Sequence, residues 1–170
     1  MRNNESIRQE IVALLDGGNA HMTFDDVVAE FPIRLINTKS PDIPYAPWHF
    51  LEHMRIAQWD ILEFIRNPSH VSPSYPEGYR PKAKEQADKN MWHSSVNKFL
   101  TDLKDLIELA ENPEIELFAP LPHAKTYTLF RELLLVADHN AYHIGEFALV
   151  RQVLNAWPPH MPYLTGTPEL

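Results

Sequence analysis

Apolar side chains recur at alternating steps of three and four residues in three long stretches of the chain. In sequence order the three series are Phe50, Met54, Ala57, Ile61 and Phe64, then Trp92, Val96, Phe99, Leu103, Leu106 and Ala110, and last Phe130, Leu134, Ala137, Ala141, Ile144 and Ala148. This spacing brings the apolar side chains to one face of a helix, so each stretch is predicted to be a helix buried along one stripe. The sequence contains no convincing alternation of polar and apolar residues, and we therefore do not expect a sheet.

The fifteen prolines indicate where these helices begin and end. They leave four long proline-free windows, at residues 1–31, 48–67, 82–112 and 123–157. Because proline inside a helix costs about 3 kcal/mol, windows of this length that are rich in Leu, Ala, Glu and Lys are predicted to be helical. Two windows begin just after Pro47 and Pro81, and proline suits the first position of a helix.

Glycine divides the first window. The pair Gly17-Gly18 predicts a helix, a turn and then a shorter helix. Thr23 and Asp26 resemble a capping box at the start of that second helix, with Asp in the position usually held by Glu.

Four helices of this length predict an all-α fold, a four-helix bundle with long proline-rich connecting loops. The third helix would be about 45 Å long if it ran without interruption from 82 to 111. The connections, at 32–46, 68–81 and 113–125, are longer than the usual 2–8 residues. Tyrosines in two of these loops favour packing over an end of the bundle, where the loops could wall a pocket. The tyrosines are Tyr45, Tyr75 and Tyr79.

Composition restricts the class of protein. A chain of 170 residues is expected to form a single domain over residues 1–170. Its formal net charge of −8 argues against nucleic acid as a partner, and no apolar run approaches the ~20 residues that span a bilayer. Cysteine is absent, which excludes disulfides, thiolate ligands and a cysteine nucleophile and suits a reducing compartment. We expect a soluble cytoplasmic protein.

Three histidines form the strongest candidate site. His139 and His143 are four residues apart in one helical window, so both imidazoles leave the same face and could bind one divalent metal ion. His53 lies beside the apolar stripe of the second window, where a histidine needs a partner. Gly145, inside the same window as the pair, suggests close backbone approach at that point. Spacing alone leaves open that these are polar residues on a partly buried face.

The whole chain, over residues 5–157, resembles the DinB/YfiT-like superfamily of metal-binding four-helix bundles. The segment PWHFLEHMRIAQWDIL resembles the second helix of that family, and DHNAYHIGEFALVRQ resembles its last helix, with its H-x-x-x-H-x-G pattern and a later arginine. The loop YPEGYRP, residues 75–81, is also similar to the family. Carried over by position, the metal ligands are His53, His139 and His143. Glu146 stands where many relatives have glutamine.

The resemblance implies a divalent metal ion, often nickel or zinc, and often a homodimer. It further implies an enzyme acting on a small-molecule substrate. Some relatives are transferases or isomerases that use a low-molecular-weight thiol, which this cysteine-free chain would take from outside, and others are described as metal-dependent hydrolases. The alternative is a non-enzymatic metal-binding or stress-response bundle that acts through association.

Three further side chains remain candidates near such a site. His49, one turn before His53, could replace it as a ligand, or it could hold a ligand in place without contacting the ion. Glu146 shares the face of His139 and His143, so it could orient an imidazole or accept a proton, or it could simply be a solvated acid. Glu132, seven residues before His139, has the same geometry and a weaker claim.

Overall fold

The computed structural model describes residues 2–41 and 43–161, and the predicted domain over 1–170 therefore extends beyond the described residues. These residues are mostly helical. The five helices are α1 (Arg2–Asp16), α2 (Phe24–Val28), α3 (Pro47–Arg66), α4 (Lys89–Glu111) and α5 (Leu129–Val153). Two short antiparallel strands, β1 (Pro120–Leu121) and β2 (Ala124–Thr128), precede α5. Within the described ranges no helix is both long and apolar enough to cross a membrane.

The turn between α1 and α2 confirms the prediction made from glycine and threonine. Gly17 and Gly18 have φ angles of 75° and 80°, in the left-handed region that glycine enters without a Cβ clash. Thr23 Oγ1 accepts a hydrogen bond from the backbone of Asp26 at 3.1 Å, and Asp26 Oδ2 accepts one from the backbone of Thr23 at 2.9 Å. The capping box therefore starts α2 where the sequence placed it.

The start of α3 is as predicted, whereas the start of α4 is not. Pro47 is the first residue of α3, but α4 begins at Lys89 and not after Pro81. The cause is a long-range contact, since the Asn37 side chain binds both the N–H and the C=O of Ala87, at 2.9 and 2.8 Å. Asp88 then caps α4 by accepting from the backbone N–H of Met91. The helix has 23 residues and is about 35 Å long, shorter than expected.

The hairpin before α5 corrects the expectation of no sheet and the helical prediction for residues 126–128. β2 contains Thr126, Tyr127 and Thr128, and β-branched and aromatic residues favour extended backbone. Thr128 also accepts a hydrogen bond from the backbone of Arg131, which fixes the N-terminus of α5 at Leu129.

The long helices pack in pairs around one hydrophobic core. α3 contacts α4 and α5, and α1 contacts the same two helices, while the short α2 packs on α5. The predicted stripe of α4 is confirmed, with five of its six residues buried and Val96 partly so. The predicted stripes of α3 and α5 are confirmed in part, since Met54, Ala57, Ala137 and Ile144 are buried, but other residues beside the stripes are as deep or deeper. They include Leu51, Leu62, Leu133, Val136 and Phe147, whereas Leu134 of the predicted stripe is 36% exposed.

Arg151 joins α5 to α2 through a buried guanidinium group. It is fully buried and donates hydrogen bonds to the carbonyls of Asp26, Val27, Ala29 and Ala156. Three of these carbonyls lie at the C-terminal end of α2, where the last turn of a helix has no intrahelical donors. The arginine thereby fixes the position of a helix only five residues long.

Candidate metal centre

The three histidines predicted as ligands lie together between α3 and α5. His139 and His143 project from successive turns of α5, and His53 faces them from α3. One ring nitrogen from each residue lies within 4.8 Å of the other two. The Nε2 atoms of His53 and His143 are 3.1 Å apart. All three side chains are partly buried, so the cluster lies at the edge of the core.

Hydrogen bonds on the far side of two rings determine which nitrogen carries the proton. His53 Nδ1 is 2.7 Å from the backbone oxygen of Tyr79, and His143 Nδ1 is 2.7 Å from Oε2 of Glu146. A carbonyl or carboxylate oxygen can only accept, so both Nδ1 atoms donate. In the neutral rings each Nε2 therefore has a lone pair and no proton. The two Nε2 atoms are 3.1 Å apart.

The cluster fits a divalent metal ion. Imidazole nitrogens lie about 2.0–2.1 Å from a bound zinc ion, which places two adjacent ligands about 2.9–3.4 Å apart. The separation between His53 Nε2 and His143 Nε2 falls within that range. Two nitrogen lone pairs at this distance repel each other unless a proton or a cation lies between them. Ligand histidines usually donate their other N–H to a carbonyl or carboxylate, as His53 and His143 do here.

The electrostatic surroundings keep the imidazoles of His139 and His53 in their neutral, ligating form. Burial, and after it the neighbouring His143 and His53, lower the pKa of His139 from 6.5 to about 3. Burial also lowers the pKa of His53, although its hydrogen bond to the Tyr79 carbonyl opposes this. At neutral pH both rings are therefore uncharged, and no proton has to be displaced from them before they bind a cation.

Tyr79 is held in place by an acid that the sequence analysis did not identify. Its hydroxyl donates to Oδ2 of Asp60 at 2.6 Å, and His70 Nε2 lies 2.7 Å from the other carboxylate oxygen. Burial, followed by the bond to Asp60, raises the pKa of Tyr79 to about 12, so the phenol stays protonated. Asp60 is seven residues after His53 and lies on the same face of the helix. This spacing could have indicated that Asp60 lies near the histidine cluster.

A cavity of about 560 Å³ adjoins the three histidines. Its walls come from α3, from α5 and from the loops that precede α3 and α4. Most lining side chains are apolar or aromatic, which is typical of sites for small organic molecules. Those used below are Tyr45, Phe50, Arg80, Tyr142, Glu146 and Leu149. The prediction that the loops wall a pocket is thus confirmed for the loops that precede α3 and α4.

The other sequence candidates occupy different positions. His49 is buried in the cavity wall, but its Nε2 lies 3.2 Å from the Lys82 carbonyl and outside the histidine cluster. Glu132 is bonded to Arg131 and does not line the cavity. No other described element lies close to Gly145, because a Cβ atom at this position would have no neighbour within 4 Å. The prediction of close backbone approach there is therefore wrong.

Glu146 is in direct contact with the cluster. Its carboxylate accepts from His143 Nδ1, and the hydroxyl of Tyr142 also bonds to it, which raises the pKa of that tyrosine. Of the roles considered from the sequence, this geometry corresponds to orientation of a ligand imidazole.

Comparisons of the chain with protein-family models, with curated protein sequences and with solved structures returned no significant match. The resemblance to DinB/YfiT-like proteins therefore stays a prediction. The class that the described residues define is a mostly helical protein with a three-histidine cluster able to hold a metal ion.

Proposed function

We propose that the protein is a metal-dependent enzyme of DinB type that binds one divalent ion through His53, His139 and His143 and acts on a small molecule in the adjoining cavity. One observation carries this proposal. The Nε2 atoms of His53 and His143, each with a free lone pair, are 3.1 Å apart at the edge of a cavity of about 560 Å³. Even in this partly buried position such an arrangement is costly without a cation.

The pairing of the helices supports the DinB-type part of the proposal. The contacts α1–α4, α4–α3, α3–α5 and α5–α1 form a closed ring of four long helices. In a four-helix bundle each helix contacts two neighbours in this way, and metal ligands project inward from facing helices. His53 on α3 and the pair on α5 have that relationship.

Three neutral ligands leave a divalent ion with an open position, as catalytic metal sites do. When bound, such an ion supplies a nucleophile at neutral pH by lowering the pKa of a thiol or a water molecule. The protein's own contribution is positional. Glu146 and the Tyr79 carbonyl hold the Nδ1 protons of His143 and His53, and the aromatic and apolar cavity walls exclude water from an organic substrate.

We infer an external low-molecular-weight thiol as the first choice of nucleophile. The chain has no cysteine, so an incoming thiol meets no internal competitor. Water is the rival, and it would make the enzyme a hydrolase. Nickel and zinc are the ions of choice, since imidazole is a suitable ligand for both.

The first experiment measures metal content. The purified protein is loaded with zinc or nickel, dialysed and analysed for bound ion, together with His139→Ala. The native protein should retain one ion per chain, and His139→Ala should lose it. His93→Ala is the matched control, because His93 is exposed on α4 and does not belong to the cluster. Equal retention by native protein and His139→Ala would contradict the proposed site.

The second experiment separates the reactions. The loaded protein is assayed for conjugation of chlorodinitrobenzene with glutathione, bacillithiol or mycothiol, and for cleavage of nitrophenyl acetate. Metal-dependent conjugation that His139→Ala lacks supports the thiol transferase, and metal-dependent ester cleavage alone supports the hydrolase. Metal binding with neither activity supports the alternative of a non-enzymatic metal-binding protein.

We also propose a homodimer, formed through an exposed face of α5 that borders the cavity, since Tyr142 and Leu149 of this face also line the cavity. Leu135, Tyr142 and Leu149 recur every seven residues on that face and are 38%, 65% and 61% exposed. A monomer rarely leaves so regular an apolar stripe in water. Light scattering at micromolar concentration should give twice the mass of one chain, and Leu135→Lys should shift the protein to a monomer. A monomer mass for the native protein would reject the dimer.

A further inference from the structure

Arg80 lies in the cavity wall one residue after the Tyr79 carbonyl that binds His53. Its guanidinium carbon is 4.6 Å from the centre of the Tyr45 ring, so the flat face of the group stacks on an aromatic side chain. Stacking occupies the face of a guanidinium but leaves its N–H edges for hydrogen bonds.

One of those N–H groups, at Nε, has no acceptor among the residues that the structure describes. Arg80 Nε is buried and makes no hydrogen bond, and no carboxylate lies within ion-pair distance among the described residues. Glu146, the acid in the same cavity, is already bonded to His143. A buried N–H without an acceptor is costly, so such a donor normally has a hydrogen-bond partner.

The surroundings of Arg80 specify what its partner should be. Among the described cavity-lining residues, Arg80 is the only lysine or arginine, and most of the others are apolar or aromatic. One guanidinium matches one carboxylate, which it can bind through two parallel hydrogen bonds. A phosphate dianion would bring a second negative charge into a cavity that already contains Glu146, so it suits the cavity less well.

We propose that the cavity binds a small organic carboxylate, with its carboxylate on Arg80 and its apolar body against Phe50 and Leu149. This inference rests on the proposed function only in making that molecule the substrate of the three-histidine centre. Arg80 is then the residue that selects the substrate class and holds the molecule beside the histidines.

Binding of four probes tests the proposal. Benzoate, hexanoate, inorganic phosphate and the uncharged benzamide are titrated by calorimetry into the metal-free protein and the zinc-loaded protein. The metal-free titrations exclude direct coordination of the carboxylate to zinc. At least one carboxylate should bind, and Arg80→Gln should weaken it tenfold or more while leaving benzamide unchanged. Arg80→Lys keeps the positive charge but loses the planar guanidinium. Its carboxylate affinity should lie between those of the native protein and Arg80→Gln.

Arg131→Gln is the matched control. Arg131 also stacks on a tyrosine, with its guanidinium carbon 4.6 Å from the centre of the Tyr127 ring, but it pairs with Glu132 and lies outside the cavity. Its replacement should leave carboxylate binding unchanged. Circular dichroism of each variant establishes that it is folded before titration.

Three outcomes would overturn the proposal: neither carboxylate binds better than benzamide, Arg80→Gln binds them as the native protein does, or phosphate binds more tightly than both. Metal content measured on the same samples separates the two proposals. Arg80-dependent binding by a protein that takes up no zinc supports the carboxylate site and contradicts the metal centre. Zinc uptake without Arg80-dependent binding does the reverse.

Discussion

His53 and His143 direct their Nε2 atoms at each other across 3.1 Å, from two different helices. Each ring has its Nδ1 hydrogen bonded to an oxygen that can only accept, so neither Nε2 carries the proton needed for a hydrogen bond between neutral rings. The contact is unfavourable in the neutral protein and becomes favourable when a cation binds both atoms. This relationship underlies the predictions that follow.

Metal binding should stabilise the fold. An ion that binds only the native state, at about a hundredfold excess over its Kd, adds about 2.7 kcal/mol to the free energy of unfolding. For a chain of this size, that corresponds to a rise in Tm of roughly 5–10 °C. Differential scanning fluorimetry with and without zinc should detect the rise in the native protein and in His93→Ala. His53→Ala should not respond, and a full response there would transfer the ligand role to His49.

The metal-free protein should lose stability as the pH falls below about 6.5. The pKa of His139 is lowered to about 3 in the folded state, and that of His53 is lowered as well. Between about pH 3 and pH 6.5 the unfolded chain therefore binds more protons than the native one, and acid favours unfolding. Urea unfolding at pH 7.5 and pH 5 should give a smaller free energy at pH 5. His139→Asn should reduce this difference, and an unchanged difference would refute the assignment to His139.

The sequence predicted the three-histidine cluster because much of its arrangement depends on local geometry. Two histidines four residues apart share a face of any α-helix, and His53 lay beside a recognisable apolar stripe. Residues that depend on the path of a loop could not be found in this way. The contact between His53 and the Tyr79 carbonyl joins residues 26 positions apart, and nothing in the spacing specifies it.

The failures in secondary structure have similar causes. Residues 82–87 resembled a helix, but the Asn37 side chain binds both backbone groups of Ala87 from 50 residues away. In α5 the four apolar residues Leu133 to Val136 are consecutive, so their pattern does not define one stripe. The structure buries Leu133 and Val136 completely and leaves Leu134 partly exposed. Tertiary contacts determine both the start of α4 and which residues of α5 are buried.

Glutamine at position 146 should preserve the metal centre. The amide oxygen of Glu146→Gln can still accept the hydrogen bond from His143 Nδ1, so the ring keeps the tautomer that ligates through Nε2. Loss of the acceptor in Glu146→Ala frees the ring, and changes of this kind cost 10–100-fold in metal affinity. Competition with a fluorescent zinc chelator should rank native protein and Glu146→Gln close together, with Glu146→Ala well below. Equal affinity for all three would show that Glu146 does not orient the ring.

Asp60 should act on the metal centre through Tyr79, without contact with the ion. Asp60 is 93% buried and accepts from the Tyr79 hydroxyl at 2.6 Å, which holds the loop whose carbonyl orients His53. Tyr79→Phe removes that hydrogen bond and should lower zinc affinity by up to about tenfold, since the loop backbone is no longer anchored. Asp60→Asn should lower zinc affinity to a similar extent. An amide is a weaker partner than a carboxylate for both the Tyr79 hydroxyl and His70. The double variant should lose little more than either single variant, since both act through one contact. Zinc competition measured at pH 7.5 on all four proteins gives the coupling energy, and additive losses would mean that Asp60 and Tyr79 act on the centre independently.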